Sequence, residues 1–500
     1  MPRQPWFQNA VIYQVDTSLF YDANGDGCGD LAGIRQKLYY LRSFGVTVLW
    51  LTPFYLTPFL DDGYDVQDHL QPDPRFGQIR DVIQLIDDAR ELGIRVIIEL
   101  VIQHTSSQHP WFLEARKNRH YMFYRHEPDL NLVHSPVIDE IDNILRFWLR
   151  VGVSGFRLDA ASHLVKQAGN GDEEQGYWIL AHLRQLVEQT NPEAILLGEV
   201  DVAVNDYRHY FGHSDRLQLV LNFWLNKFFY VSLARQSVKP LVSALQAMIK
   251  PPPGCCFANW LRNHDELDLE GIEDADRQFV LRCFAPEKSM SVYQRGIRRL
   301  LAPMLEGNIR RLALCHAVLL SLPGVPVIRY GDEIGMGEDL SLKERYAVRT
   351  PMQWSAGVNG GFSTAAAEKL LVRPVASGPW RYQQVNVELA LRQRHSLLQR
   401  VRQMVQLRAE YHEPGTTPFE LVSGLPPSVL ALRYRSQSRD LLMLANFSER
   451  PVEVRLPRQE TGYWSCVLED RRYRDSLTGG KVCRLQLADY GYRWFSRQHD

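Results

Sequence analysis

Runs of β-branched and apolar residues alternate with longer helical patterns eight times along the first four-fifths of the chain. Strands are expected at 11–15, 46–51, 96–101, 155–160, 194–198, 217–221, 256–261 and 325–330. Helical periodicity occupies the intervals between them, most clearly at 31–44, 80–92, 138–151 and 174–189. Strand–helix alternation of this kind means a parallel sheet with its crossovers on the outside, and eight repeats close it into a (β/α)8 barrel. Beyond about residue 411 the pattern changes. The runs at 429–434, 441–446 and 452–456 are separated by short turns without helices. They read as a separate all-β domain of sandwich type, joined near Glu413-Pro414-Gly415. The expected division is therefore a barrel of 1–103 and 137–412, a short insertion of 104–136 after strand three, and a C-terminal domain of 413–500.

The totals exclude several classes of partner. A formal charge of −1 supplies no field for nucleic acid or an anionic membrane surface. No apolar run reaches the ~18 residues of a membrane span, and Met1 to Trp6 contains no hydrophobic leader. Seven cysteines, an odd number with only Cys255 and Cys256 adjacent, offer neither a disulfide framework nor a CxxC metal site. A reducing, cytoplasmic compartment is the expectation.

If the barrel closes, polar residues just past each strand share one mouth, where barrel chemistry resides. Strand three is followed by Gln103-His104, and strand four carries Arg157 and Asp159. Strand five leads to Glu199, strand seven to His264-Asp265-Glu266, and strand eight to Asp332-Glu333. A lone Arg-x-Asp is more often an ion pair of the scaffold. Three carboxylates converging with an arginine and two histidines suit a retaining glycosidase, in which one acid attacks the anomeric carbon and another protonates the leaving oxygen. The second needs a pKa raised by burial or a like-charged neighbour.

Four stretches carry a family resemblance: Leu100-Val101-Ile102-Gln103-His104-Thr105, Gly155 to Ala160, Leu197-Gly198-Glu199-Val200 and Arg262-Asn263-His264-Asp265-Glu266. In this order and spacing the chain resembles the α-amylase superfamily of glycoside hydrolases, and within it the trehalose synthases and related α-glucosidases. The resemblance implies that Asp159 is the nucleophile, Glu199 the acid/base, and Asp265 the group that holds the sugar 2- and 3-hydroxyls. It implies that Arg157 orients Asp159 and that His104 and His264 donate to glucose hydroxyls. In Asp61-Asp62-Gly63-Tyr64-Asp65 it implies that Tyr64 stacks on the non-reducing glucose, while Asp65, braced by Arg349, binds its 4-hydroxyl. The expected partners are small α-glucosides such as maltose and trehalose, with no organic cofactor.

Residues 22–30 alternate oxygen-bearing side chains: Asp22, Asn24, Asp26 and Asp30, with the carbonyl of Cys28 between. Such alternation suits a structural calcium ion, which takes oxygen ligands, and the family resemblance implies the same loop. Two departures stand against the family pattern. The insertion after strand three is strongly shortened, and Gln103 replaces an asparagine that commonly ligates a second calcium, which is not expected here. A shortened roof makes water harder to exclude. The expected activities are therefore isomerisation of maltose and trehalose or, with a pocket open to water and outside sugars, α-glucosidase or intermolecular transglucosylase action. A homo-oligomer in which a neighbouring subunit supplies the roof is compatible with the sequence. A non-catalytic sugar-binding barrel is the remaining class, but such a barrel has no need of all three acids.

Overall fold

The computed structural model describes residues 5–114, 124–456, 463–475, 477 and 483–499. Eight parallel strands close a barrel: β1 (Ile12–Val15), β2 (Val48–Leu51), β3 (Arg95–Leu100), β4 (Gly155–Leu158), β5 (Ile195–Gly198), β6 (Leu219–Leu221), β7 (Cys256–Trp260) and β8 (Val325–Arg329). Each strand pairs with its neighbours in sequence, and β8 closes on β1. All eight expected strands are present, with ends within two residues of those read from the sequence.

Side chains of a strand alternate between its two faces, and here the alternation separates two cores. Ile12, Val48, Trp50, Ile97, Ile195, Leu197, Ala258 and Val327 fill the barrel interior. Tyr13, Val15, Leu49, Leu51, Ile98, Leu196, Val220 and Ile328 face the surrounding helices. The inward parity continues upward from Ile97 to Glu99, from Gly155 through Arg157 to Asp159, and from Ile195 through Leu197 to Glu199. Period two thus places these four charged groups in the top layers of one closed barrel.

Helix formation follows the apolar stripes. Ile79–Glu91 buries Val82, Leu85, Ile86 and Ala89, and starts with reciprocal hydrogen bonds between Gln78 and Asp81. The same i, i+3, i+4 spacing buries Ile141, Ile144, Leu145 and Trp148 of Ser135–Val151. Two helices differ from expectation. The 31–44 stretch divides at Lys37 into Leu31–Gln36 and Leu38–Phe44. Helix Ala161–Ala168 precedes the expected one and starts directly after Ala160, whose φ of 40° lies in the left-handed region. Gly155 opens β4 at φ 150°, and a Cβ there would sit 2.3 Å from the carbonyl oxygen of Ile195. Only glycine lets β4 lie this close to β5.

After helix Leu397–Glu410, a helical turn Glu413–Thr416 leads into antiparallel strands. The turn is a packed joint: Glu413 and Pro414 are buried, and a Cβ on Gly415 would lie 1.9 Å from the Gln8 carbonyl oxygen. Strands β9 (Phe419–Leu421), β10 (Val429–Arg435), β11 (Arg439–Asn446), β13 (Ser465–Glu469) and β15 (Tyr492–Gln498) form one sheet; β12 (Val452–Leu456) and β14 (Cys483–Leu487) form a second. The two sheets share a core of Ala431, Leu442, Leu444, Val454, Leu456, Leu485 and Leu487. On the other face of the larger sheet, Leu432, Tyr434 and Met443 join the core of the barrel helices. Tyr434 donates to the carbonyl of Ser321 at 2.7 Å.

The shortened insertion is zipped at its base, where His104 pairs with Asp129 and Thr105 N donates to the Pro128 carbonyl at 3.1 Å. Its middle, 115–123, lies outside the described residues. Among the described residues, no helix is long and apolar enough to cross a membrane.

Candidate active site

Arg157 is the centre of the barrel mouth. Its side chain is 1% exposed, and one guanidinium meets three carboxylates. Nη1 donates to Glu99 Oε2 at 2.9 Å and to Asp159 Oδ1, while Nη2 lies 2.9 Å from Glu199 Oε2. Buried charges are tolerable only when paired in this way. The other oxygen of Asp159 accepts from Gln103 Nε2. Glu199 Oε2 also accepts from the backbone N–H of Ala160 at 2.9 Å, so the left-handed residue after Asp159 ties the two acids together. Backbone strain of this kind clusters at functional sites.

The same arrangement separates the charge states. Burial, with Asp159 and Asp265 adding repulsion and Arg157 opposing, pushes Glu199 up to about 8. Burial also works against the charge on Asp265, but the facing positive groups overcome it and hold this carboxyl well below the usual range. Arg349 Nη2 at 2.9 Å and Arg345 Nη1 at 3.1 Å supply that field, because burial keeps His264 neutral. Glu99, on β3, is pushed up to about 7 by burial despite Arg157. It accepts from Trp50 Nε1 at 2.9 Å and Tyr64 hydroxyl at 3.1 Å.

These groups border a cavity of about 680 Å³, large enough for a disaccharide. Asp159, Glu199, Asp265, Tyr64, His104 and His264 line it as the sequence suggested. His264 has protein partners on both ring nitrogens. Gln14 Nε2 lies 2.7 Å from Nδ1, and the Tyr64 hydroxyl 2.7 Å from Nε2. With the Gln14 amide donating, His264 carries its proton on Nε2, facing Tyr64 and Asp265 Oδ2 at 3.1 Å. His264 thus lines the cavity with Nε2 shared between the Tyr64 hydroxyl and Asp265. The Tyr64 ring lies parallel to that of His264, 2° between planes and 5.5 Å between centroids.

The expected Asp65–Arg349 pair is corrected. Asp65 is fully buried away from the cavity, where its carboxylate accepts from Thr57 Oγ1 at 2.9 Å, Leu60 N at 2.9 Å and Asp61 N at 3.1 Å. Three internal donors make it the brace of its own loop. Arg349 instead pairs with Asp62 and Asp265. The acid that reaches the cavity is Asp61, which accepts from Arg345 Nη2 at 2.7 Å. Nothing in the spacing distinguishes Asp61 from Asp62 or Asp65. Arg345, inside Lys343-Glu344-Arg345, reads in sequence as a solvated charge. Glu99 had a signal, since an acid inside a buried strand needs a partner.

The 22–30 loop is organised by its own turns. Asp22 accepts from the N–H groups of Gly25 and Gly27 at 2.7 and 2.8 Å, Asn24 from Asp26, Asp26 from Cys28, and Asp30 from Ala23, Asn24 and Gly33. Among the described residues, no three His, Cys, Asp or Glu side chains gather as a metal cage.

Comparison with known proteins agrees with the geometry. Residues 14–121 and 119–414 match the family model for the α-amylase catalytic domain, and 439–496 match that for the sucrose hydrolase-like C-terminal domain. The chain is 35% identical to the trehalose synthase/amylase of Mycolicibacterium smegmatis, over 98% of this chain and 92% of that protein. It is 37% identical to the trehalose synthase of Thermus thermophilus, over 90% of this chain and 51% of that one. Among solved structures, the α-amylase of H. orenii superposes with a TM-score of 0.79 over 98% of this chain and 99% of that one, at 24% identity, a likeness of fold alone.

Proposed function

The chain belongs to the α-amylase family of glycoside hydrolases, and we propose that within it the protein is a retaining glucosyl enzyme interconverting small α-glucosides such as maltose and trehalose. The observation that carries this reading is the division of charge around Arg157, together with relatives named trehalose synthase across nearly the whole chain. Asp159, held between Arg157 and Gln103, attacks the anomeric carbon, and its new C–O bond replaces the glycosidic one. Glu199, protonated at neutral pH, gives its proton to the departing sugar oxygen. In the second step Glu199 takes a proton from the incoming hydroxyl, whose oxygen displaces Asp159 and restores the α configuration.

Asp265, ionised between Arg345 and Arg349, holds two ring hydroxyls and favours the positive charge that develops on the ring. Asp61 with Arg345 takes over the non-reducing-end recognition first assigned to Asp65 and Arg349. For isomerisation, the released glucose turns within the cavity and returns through a different hydroxyl. Transfer to water or another sugar competes, because the insertion after β3 is as short as residues 104–136. Incubation with maltose, resolving trehalose from glucose over time, tests the reading. Trehalose is expected as the major early product; glucose alone would assign the chain to the α-glucosidases.

We infer calcium in the 22–30 loop from donor type, its acids being closed on their own turns and not gathered as a ready cage. Asp22, Asn24, Asp26 and Asp30 each keep an oxygen that accepts a single N–H, which leaves lone pairs for a hard cation. Added calcium should raise Tm and EGTA should reverse the rise. A Tm indifferent to both would leave the loop stabilised by its turns alone.

A further inference from the structure

Among the further carboxyls that border the cavity, Glu127 shares its wall with Asp61, His104 and Asp159. Glu127 lies in the return limb of the insertion, fixed by its own N–H to the Tyr124 carbonyl at 3.0 Å and by the neighbouring Thr105–Pro128 bond. Its side chain is 1% exposed and lines the cavity beside Asp61, His104 and Arg345. Among the described residues, Glu127 Oε1 has no hydrogen-bond partner. His104 Nε2 and His126 Nε2 stand off at 3.8 and 3.9 Å. A buried carboxyl oxygen left unmet is costly, and folds keep one where something else meets it. This oxygen is tucked toward the two histidines, while the residue as a whole lines the cavity.

The surroundings decide its form. Asp61 and Asp65 face it from the loop after β2, His104 from the end of β3 and Asp159 from β4. His126 and Asp129 share its limb, and Arg345 faces it as a cation. Burial, then Asp61, Asp65 and Asp159, push Glu127 up to about 9 against the pull of Arg345. At neutral pH it therefore offers an O–H to give and a carbonyl oxygen to accept, the pattern that an amide also presents.

We propose that Glu127 binds one ring hydroxyl of the glucosyl unit held over Asp159, and so helps select an uncharged hexose at that position. The proposal rests on the α-glucosyl reading of the site. A neutral acid matches a hydroxyl in both directions, whereas a phosphate or uronate there would stand against the carboxylates of Asp61 and Asp159.

The test is a cycle of substrate and side chain. Kinetics of p-nitrophenyl α-D-glucopyranoside and its monodeoxy analogues are compared for the wild type, Glu127→Gln, Glu127→Leu and Glu127→Met. Glu127→Leu and Glu127→Met should lower kcat/KM for the parent glucoside about 10- to 100-fold, the worth of one well-placed buried hydrogen bond. One deoxy analogue, penalised in the wild type, should suffer no further loss in those two variants. Glu127→Gln should keep both the parent rate within about threefold and the wild-type pattern of penalties. Unchanged penalties for every analogue in Leu, Met and Gln variants alike would overturn the proposal while leaving the α-glucosyl reading intact. A wild type inert on the parent glucoside and on maltose would overturn both.

Discussion

Asp159→Asn is expected to reduce kcat on maltose roughly 10⁴-fold or more, the scale seen when an attacking group is removed. An amide oxygen is a far weaker nucleophile than a carboxylate, and it carries no charge to balance the developing oxocarbenium ion. Binding should survive. Arg157 keeps Glu99 and Glu199 as partners, and Asp265 with its two arginines still holds the sugar. Maltose affinity measured by calorimetry should therefore change by less than about tenfold while turnover disappears. Full activity in Asp159→Asn would remove the nucleophile assignment.

Glu199→Gln carries the second large effect, and its signature depends on the leaving group. With maltose, whose departing oxygen needs a proton, kcat should fall roughly 10²- to 10⁴-fold. With an aryl glucoside of low leaving-group pKa, the first step needs no acid and should remain fast. The second step then lacks its base, so the glucosyl-enzyme accumulates. Azide attacks without deprotonation and should restore turnover, giving the α-glucosyl azide. The pH profile follows from the same group. Glu199 must be protonated for the first step, and burial with two neighbouring carboxylates sets its titration near 8. The wild-type kcat/KM for maltose should fall as pH rises through that value, and Glu199→Gln acting on the aryl glucoside should lack this limb.

The barrel was legible because its strands are short apolar runs bounded by helical periodicity, and period two then decides which side chains point inward. That Asp159, Glu199 and Asp265 would share one cavity was legible because each follows a strand, at the end where a barrel gathers its loops. Helix Ala161–Ala168 was missed because its start is set by Ala160 in a left-handed conformation that alanine seldom adopts. The choice of Asp65 failed for a similar reason. Three acids fall within five residues, and the chain path selects among them: Phe59 and Asp62 have φ of 62° and 48°, and Asp65 folds under its own loop. Arg345 gave no sign at all. Its role depends on a 3-10 turn, Glu344–Val348, that carries it across the mouth to Asp61 and Asp265.

The central claim is a glucosyl group carried covalently on Asp159 inside this ring of carboxylates. Mass spectrometry of Glu199→Gln, digested after mixing with an activated aryl α-glucoside, tests it most directly. The account predicts one glucosyl unit on the peptide bearing Asp159, formed as the aryl group is released and lost on addition of azide. Release of the aryl group with that peptide unmodified, or with the sugar on another peptide, would contradict it.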